Sequence, residues 1–144
     1  MAAVNPYLNF NGTTEEAFNF YKSVFGGEFL TLQRFSDMPS EIPAPAGTDQ
    51  GRILHVSLPI SAETVLMGSD VPDSYPAPIT GTNFSISINT ESEEEATKLF
   101  NGLSAGGQVT MPLAKAFWGA YFGMFTDKFG IQWMVNYDYN QNKE

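Results

Sequence analysis

The sequence predicts an α+β fold: two tandem βαβββ modules whose strands form a curved, barrel-like mixed sheet. Three observations predict it. A helix pattern with its caps occurs twice, as Thr13-Thr14-Glu15-Glu16-Ala17 running to Gly26-Gly27 and as Ser92-Glu93-Glu94-Glu95-Ala96 running to Gly106-Gly107. Ala17, Phe20, Tyr21 and Val24 map on Ala96, Leu99, Phe100 and Leu103 at one offset of 79 residues, and the glycine pairs map at 80. Each helix is preceded by one short apolar run and followed by three. The expected organisation is one domain over residues 1–144, with a first module at 1–70, a linker at 71–81 and a second module at 82–138.

In order, Val4 to Phe10 reads as a strand entered through Pro6. Thr13 with Glu16, and Ser92 with Glu95, have the S/T-x-x-E spacing of a capping box. Ala17, Phe20, Tyr21 and Val24 fall at helical spacing, and Gly26 or Gly27 supplies the left-handed stop. Phe29 to Phe35 is a second strand, and Ser36 to Gly51 a loop rich in Pro, Gly, Ser and Asp. Arg52 to Pro59 and Glu63 to Ser69 read as a hairpin turning near Ile60-Ser61-Ala62. After a proline-rich link the order restarts: strand Asn83 to Asn89, helix Ser92 to Ala105, strand Gln108 to Leu113 and a loop carrying Phe117-Trp118-Gly119. Tyr121 to Thr126, a turn at Asp127-Lys128-Phe129-Gly130, and Ile131 to Tyr137 complete the second module, leaving a polar tail from Asn140. The helices cover one face of each sheet, so the other face is expected to curl round a cavity or a partner.

A chain of 144 residues can bury a full core without staples. It has no cysteine, which excludes disulfides, thiolate catalysis and thiolate metal sites. The net charge of −9, from 7 basic and 16 acidic side chains, repels phosphate backbones and argues against nucleic-acid binding. No leader pattern and no apolar run of spanning length is read, so the expectation is a cytoplasmic protein without membrane contact. An aromatic content of 14% serves the core and can also line a pocket.

Pro6-Tyr7-Leu8-Asn9-Phe10-Asn11-Gly12, Phe20-Tyr21-x-x-Val24-Phe25-Gly26-Gly27, Ile53-Leu54-His55-Val56 and Leu66-Met67-Gly68-Ser69-Asp70 carry a family resemblance. So does the run from Phe117-Trp118-Gly119 through Asp127-Lys128-Phe129-Gly130 to Trp133-Met134-Val135-Asn136, the most specific of the set. Together they resemble the PhnB-like branch of the vicinal-oxygen-chelate superfamily, which includes glyoxalase I, bleomycin-resistance proteins, fosfomycin-resistance enzymes and extradiol dioxygenases. Some relatives in that branch carry a ubiquinone-methyltransferase label. The sequence lacks the glycine-rich strand-to-helix turn of an S-adenosylmethionine site, so methyl transfer is not expected.

The resemblance implies a divalent metal that polarises two substrate oxygens, held by His, Glu, Gln or Tyr on equivalent strands of both modules. Aligned by the helices and the Asp-x-x-Gly turn, those positions fall at or near Pro6, and at Met67, Asn83 and Met134. None is a hard-metal ligand of any strength, and the neighbouring Asn5, Asn9, Gln132 and Asn136 are neutral amides. No metal and no cofactor are therefore expected.

His55, the only histidine, is the candidate catalytic base, or else a strand histidine held by hydrogen bonds. Asp70 is expected to cap a loop or helix, or to pair with Arg52 or Arg34. The glutamates opening each helix are explained by the helix dipole. Asn83, Ser85 and Ser87 alternate along one strand opposite Phe84, Ile86 and Ile88, and so present a polar face toward the cavity. Phe117, Trp118, Phe122 and Met134 are expected to form an apolar wall, with Trp133 turned into the core. The candidate ligand-binding set is thus His55, Met67, Asn83, Ser85, Phe117, Trp118, Phe122 and Met134. The expected function is metal-free binding of a small molecule by a homodimer. The alternatives are a glyoxalase- or dioxygenase-type enzyme with a cryptic site around His55, and a structural or regulatory dimer with a vestigial pocket.

Overall fold

The computed structural model describes residues 2–39, 49–72 and 74–140. The chain forms two compact units, Met1–Ile79 and Thr80–Glu144. The first contains β1 (Tyr7–Phe10), α1 (Thr14–Phe25), β2 (Thr31–Arg34), β3 (Ile53–Pro59) and β4 (Val65–Asp70). The second contains β5 (Ile86–Asn89), α2 (Glu93–Ser104), β6 (Gln108–Ala116), β7 (Ala120–Thr126) and β8 (Gln132–Asp138). Each unit is βαβββ with a four-stranded mixed sheet, ordered β1-β4-β3-β2 and β5-β8-β7-β6. In both, the strand before the helix pairs in parallel with the last strand, and the other pairings are antiparallel. This is the α+β architecture the repeat predicts.

Alternation along the strands separates the two faces of each sheet. In the first unit Leu8, Phe10, Val56, Leu58 and Leu66 are buried on the side of α1. In the second, Phe125, Trp133 and Val135 are buried on the side of α2. Trp133 is 2% exposed, as its alternation with Met134 predicts.

The repeat is read correctly on α2, whose buried residues are Ala96, Leu99, Phe100 and Leu103. On α1 the buried set is Thr14, Ala17, Phe18 and Tyr21, while Phe20 and Val24 stay half-buried. The cause lies in the sheet. Gly68 leaves a slot that Phe18 fills, since a Cβ there would lie 2.7 Å from the Phe18 ring. In the second unit Gly123 does the same for Phe100, at 2.6 Å. The two copies thus seat a helix aromatic on a glycine, but on different strands.

Several boundaries differ from the sequence reading. The second strand ends at Arg34 because Phe35–Asp37 forms a 3-10 turn, closed by the Asp37 carboxylate accepting from the Arg34 N–H at 2.9 Å. The sixth strand continues to Ala116, through two register irregularities against β7. The fifth strand starts at Ile86, not Asn83; the Phe84 carbonyl accepts from the Gln132 side chain at 2.5 Å, and Phe84 is exposed. Residues 40–48 of the long loop and 141–144 of the tail lie outside the described residues.

The first capping box is not formed. Thr13 makes no side-chain cap. Asp70, at the end of β4, caps the helix instead: its Oδ1 accepts from the Gly12 N–H (2.9 Å), the Thr14 N–H (3.1 Å) and the Thr14 hydroxyl (2.7 Å). Its Oδ2 accepts from the Ile53 N–H at 2.9 Å. In α2 the Ser92 hydroxyl accepts from the Glu95 N–H at 3.0 Å, and the Glu95 carboxylate accepts from the Glu91 N–H rather than from the cap residue.

Candidate functional site

The face of the first sheet turned away from α1 carries an aligned row of side chains. Strand register places Tyr7 opposite Met67, Met67 opposite Ser57, and Ser57 opposite Thr31. On the same face, two residues along β3 from Ser57, lies His55. The Tyr7 hydroxyl and the His55 Nδ1 are hydrogen-bonded at 3.2 Å, with the rings 5.8 Å apart. Among the described residues no hydrogen bond engages Nε2, so that nitrogen is available to a ligand. It donates when the phenol donates to Nδ1 and accepts when Nδ1 carries the proton. Ser57 is 4% exposed, yet among the described residues its hydroxyl makes no hydrogen bond. A buried hydroxyl without a partner costs about 1–3 kcal/mol, so such groups normally acquire one.

The second sheet repeats the row with other chemistry. Register places Ser87 opposite Met134, Met134 opposite Met124, and Met124 opposite Met111. Next to it, Asn136 faces Phe122 across the sheet and its side-chain NH₂ donates to the Asn89 side-chain Oδ1 at 3.2 Å. Phe117 and Trp118 occupy the β6–β7 turn. Trp118 stacks edge-on against Phe117 (5.0 Å) and Phe122 (5.7 Å). Phe117 is 97% and Trp118 53% exposed.

Of the residues singled out from sequence, His55 and Met67 share the face of the first sheet turned away from α1. Phe122 and Met134 share the face of the second turned away from α2; Trp118, in the turn, contacts Phe122, and Phe117 contacts Trp118. Asn83 and Ser85 precede β5, outside its ladder, so only Ser87 of the expected polar strand face lies in a strand. Tyr7 and Ser57 were not recognised from sequence. Both follow from register, which only the folded sheet provides; an alternation of polar residues along Tyr7-x-Asn9 and His55-x-Ser57 is the signal present in the chain.

The remaining ionisable groups hold turns and helix ends. Asp70 is 3% exposed and fully engaged with neutral donors, not with Arg52 or Arg34. Arg52 donates to the Asn11 side chain and the Val71 carbonyl, at 2.9 Å each. Arg34 grips Glu15 with both guanidinium nitrogens (3.0 and 2.5 Å), which holds the Glu15 carboxyl below its usual range. Glu15, Arg52 and Asp70 border a polar cleft of about 220 Å³ at the start of α1. Asp127 closes the β7–β8 turn: Oδ1 accepts from Phe129 and Ile131 N–H groups, and Oδ2 from the Trp133 indole at 2.8 Å.

The sequence profile of the Glyoxalase/Bleomycin resistance protein/Dioxygenase superfamily matches residues 4–135. The chain belongs to this superfamily. Protein YjdN of Escherichia coli K12 is 31% identical over 140 residues, covering 92% of this chain and 93% of that protein. The crystal structure of protein PA1353 from Pseudomonas aeruginosa is 42% identical with a TM-score of 0.84, covering 96% of this chain and 98% of that one. A PhnB protein from Bacillus cereus, titled a putative 3-demethylubiquinone-9 3-methyltransferase, is 26% identical with a TM-score of 0.75, covering 94% and 99%.

Membership raises the question of the superfamily's divalent metal. Register sharpens the sequence alignment: the β1 residue level with Met67 is Tyr7, next to Pro6, and the β5 residue level with Met134 is Ser87 instead of Asn83. The set is therefore one phenol, one primary hydroxyl and two thioethers. Thioethers are poor partners for hard divalent ions, and the phenol is already bonded to His55. Among the described residues no three His, Cys, Asp or Glu side chains gather into a metal-binding group. The donor set does not fit a hard divalent ion.

Proposed function

We propose that this superfamily member binds a small, oxygen-bearing molecule on the open face of its first sheet, without a divalent metal. The observation that carries the proposal is the buried Ser57 hydroxyl, unpartnered among the described residues, on the same face as the Tyr7–His55 pair. A ligand carbonyl or hydroxyl would complete Ser57 and meet the His55 Nε2. The net charge of −9 favours a neutral or cationic ligand over an anion. Methyl transfer, named for the Bacillus cereus relative, is not part of this proposal, because the sequence offers no glycine-rich cofactor turn.

The test is a thermal-shift screen of uncharged carbonyl and polyol compounds, followed by titration of hits against Ser57→Ala, Tyr7→Phe and His55→Ala. Weaker binding in Ser57→Ala and His55→Ala is expected. Hits that bind all three variants as tightly as the parent would sink the proposal. So would one zinc, iron, nickel or manganese per purified chain that disappears on His55→Ala.

A cytoplasmic homodimer is part of the same proposal. The pairing is supported by large apolar side chains left exposed, among them Phe117 at 97%, Leu30 at 71% and Phe84 at 61%. Light scattering that gives a monomer mass at micromolar concentration would count against it.

A further inference from the structure

The methionine row of the second sheet calls for its own account. Met134, Met124 and Met111 stand at facing positions on three adjacent strands. Directly opposed residues on neighbouring strands lie about 5 Å apart, so three flexible thioethers can converge on one point. The row lies on the face away from α2. Its neighbours along β7 and β8, Phe125, Trp133 and Val135, supply the helix-side core, while Met124 and Met134 are half-buried and Met111 is 44% exposed. The row is therefore not part of the helix-side core.

The alignment is also actively made. From the pair Val109↔Phe125, a regular antiparallel ladder would set Thr110 opposite Met124. The register irregularity between Val109 and Met111 inserts one residue and brings Met111 there instead. A bulge is a device for re-aiming a side chain, and here it exchanges a hydroxyl for a third thioether.

Three thioethers form a soft donor set. They suit Cu(I) and its redox-inert analogue Ag(I), and not Mg²⁺, Ca²⁺ or Zn²⁺. The chain has no cysteine to compete as a softer ligand, and its charge of −9 favours a cation. Phe122, two residues from Met124 on the same face, presents an aromatic ring beside the row. We propose that Met111, Met124 and Met134 form a binding site for a soft monovalent metal ion of the Cu(I) class. The proposal does not rest on the ligand reading above, which concerns the other sheet.

The probe is Ag(I) in chloride-free buffer, dialysed against the full chain and quantified by elemental analysis, with Cu(I) checked by competition against a chromophoric chelator. One silver ion per chain is expected, undisturbed by excess Mg²⁺ or Zn²⁺. Met124→Leu should lose it, because leucine keeps the volume and removes the sulfur. Met111→Leu, at the exposed end of the row, should weaken it and provides a second variant should Met124→Leu fold poorly. Met67→Leu and His55→Ala should retain the ion. No stoichiometric silver in the parent, full binding in the folded leucine variants, or loss in Met67→Leu or His55→Ala would each overturn the assignment.

Discussion

Asp70→Asn separates what the two helix starts share in sequence from what they do in the fold. The carboxylate takes three donors on Oδ1 and the Ile53 N–H on Oδ2. An amide has only one acceptor end. With its oxygen toward Gly12 and Thr14, its NH₂ faces the Ile53 N–H, and a buried donor left without an acceptor costs about 1–3 kcal/mol. The three remaining bonds also drop from charge-assisted to neutral, at roughly 1 kcal/mol each. Relief from burying a charge offsets part of this, leaving an expected net loss of about 2–4 kcal/mol. For a chain of this size that corresponds to a melting-temperature drop of roughly 4–16 °C. Thr13→Ala should change stability by less than about 0.5 kcal/mol, because its hydroxyl caps nothing. Ser92→Ala, in the copy where the cap is made, should cost about 1 kcal/mol. Both tryptophans lie in the second unit, so far-UV ellipticity in urea is the appropriate probe. Asp70→Asn within about 0.5 kcal/mol of the parent, or Thr13→Ala as costly as Ser92→Ala, would refute the reasoning.

Gly68→Ala and Gly123→Ala should each destabilise by about 1–3 kcal/mol in urea denaturation, since the new Cβ meets a helix aromatic ring and, at Gly123, the Leu113 backbone at 2.9 Å. Trp133→Ala should cost about 3–5 kcal/mol, whereas Trp118→Ala, at a 53% exposed site, should cost little; equal losses would show the core is misplaced. Partial desolvation and donation to Glu93 push the Tyr139 phenol up to about 12. The folded chain keeps that proton where the unfolded chain releases it, so stability falls as pH rises through about 10 to 12. Glu93→Gln should return one tyrosine toward its ordinary titration near 10 in a spectrophotometric scan. Glu15, held low by Arg34, contributes stability that is present above the ordinary glutamate range and lost as pH falls below it. Because the pair is half exposed, Arg34→Gln should remove less than about 1 kcal/mol of it.

Element order was legible because periodicity and caps are local signals. The helices, the β3–β4 hairpin and the Asp127 turn all follow from residues within a few positions of one another. What escaped is long-range. Thr13-x-x-Glu16 has the spacing of Ser92-x-x-Glu95, but Asp70 arrives at the first helix from 56 residues away and takes over the cap. Phe18 displaces Phe20 from the core because of a missing side chain on β4, which no helical pattern reveals. Counting from the helices and the Asp-x-x-Gly turn puts the first-strand position at or near Pro6 and the fifth-strand position at Asn83. Hydrogen-bonded register sets Tyr7 level with Met67 and Ser87 level with Met134.

That correction bears on function, because it joins the two candidate sites into one comparison. The same four places in the two sheets read Tyr7, Met67, Ser57, Thr31 and Ser87, Met134, Met124, Met111. The helix-facing rows beside them stay apolar in both units, as packing requires. The open row is released from that requirement, so divergence there is permitted without being meaningful. Two features go beyond that freedom: a buried hydroxyl with no hydrogen bond among the described residues, and a third thioether set into the row by a bulge. The two proposals account for them separately. A ligand for the first unit would offer hydrogen bonds to Ser57 and His55, and one for the second would prefer sulfur to oxygen.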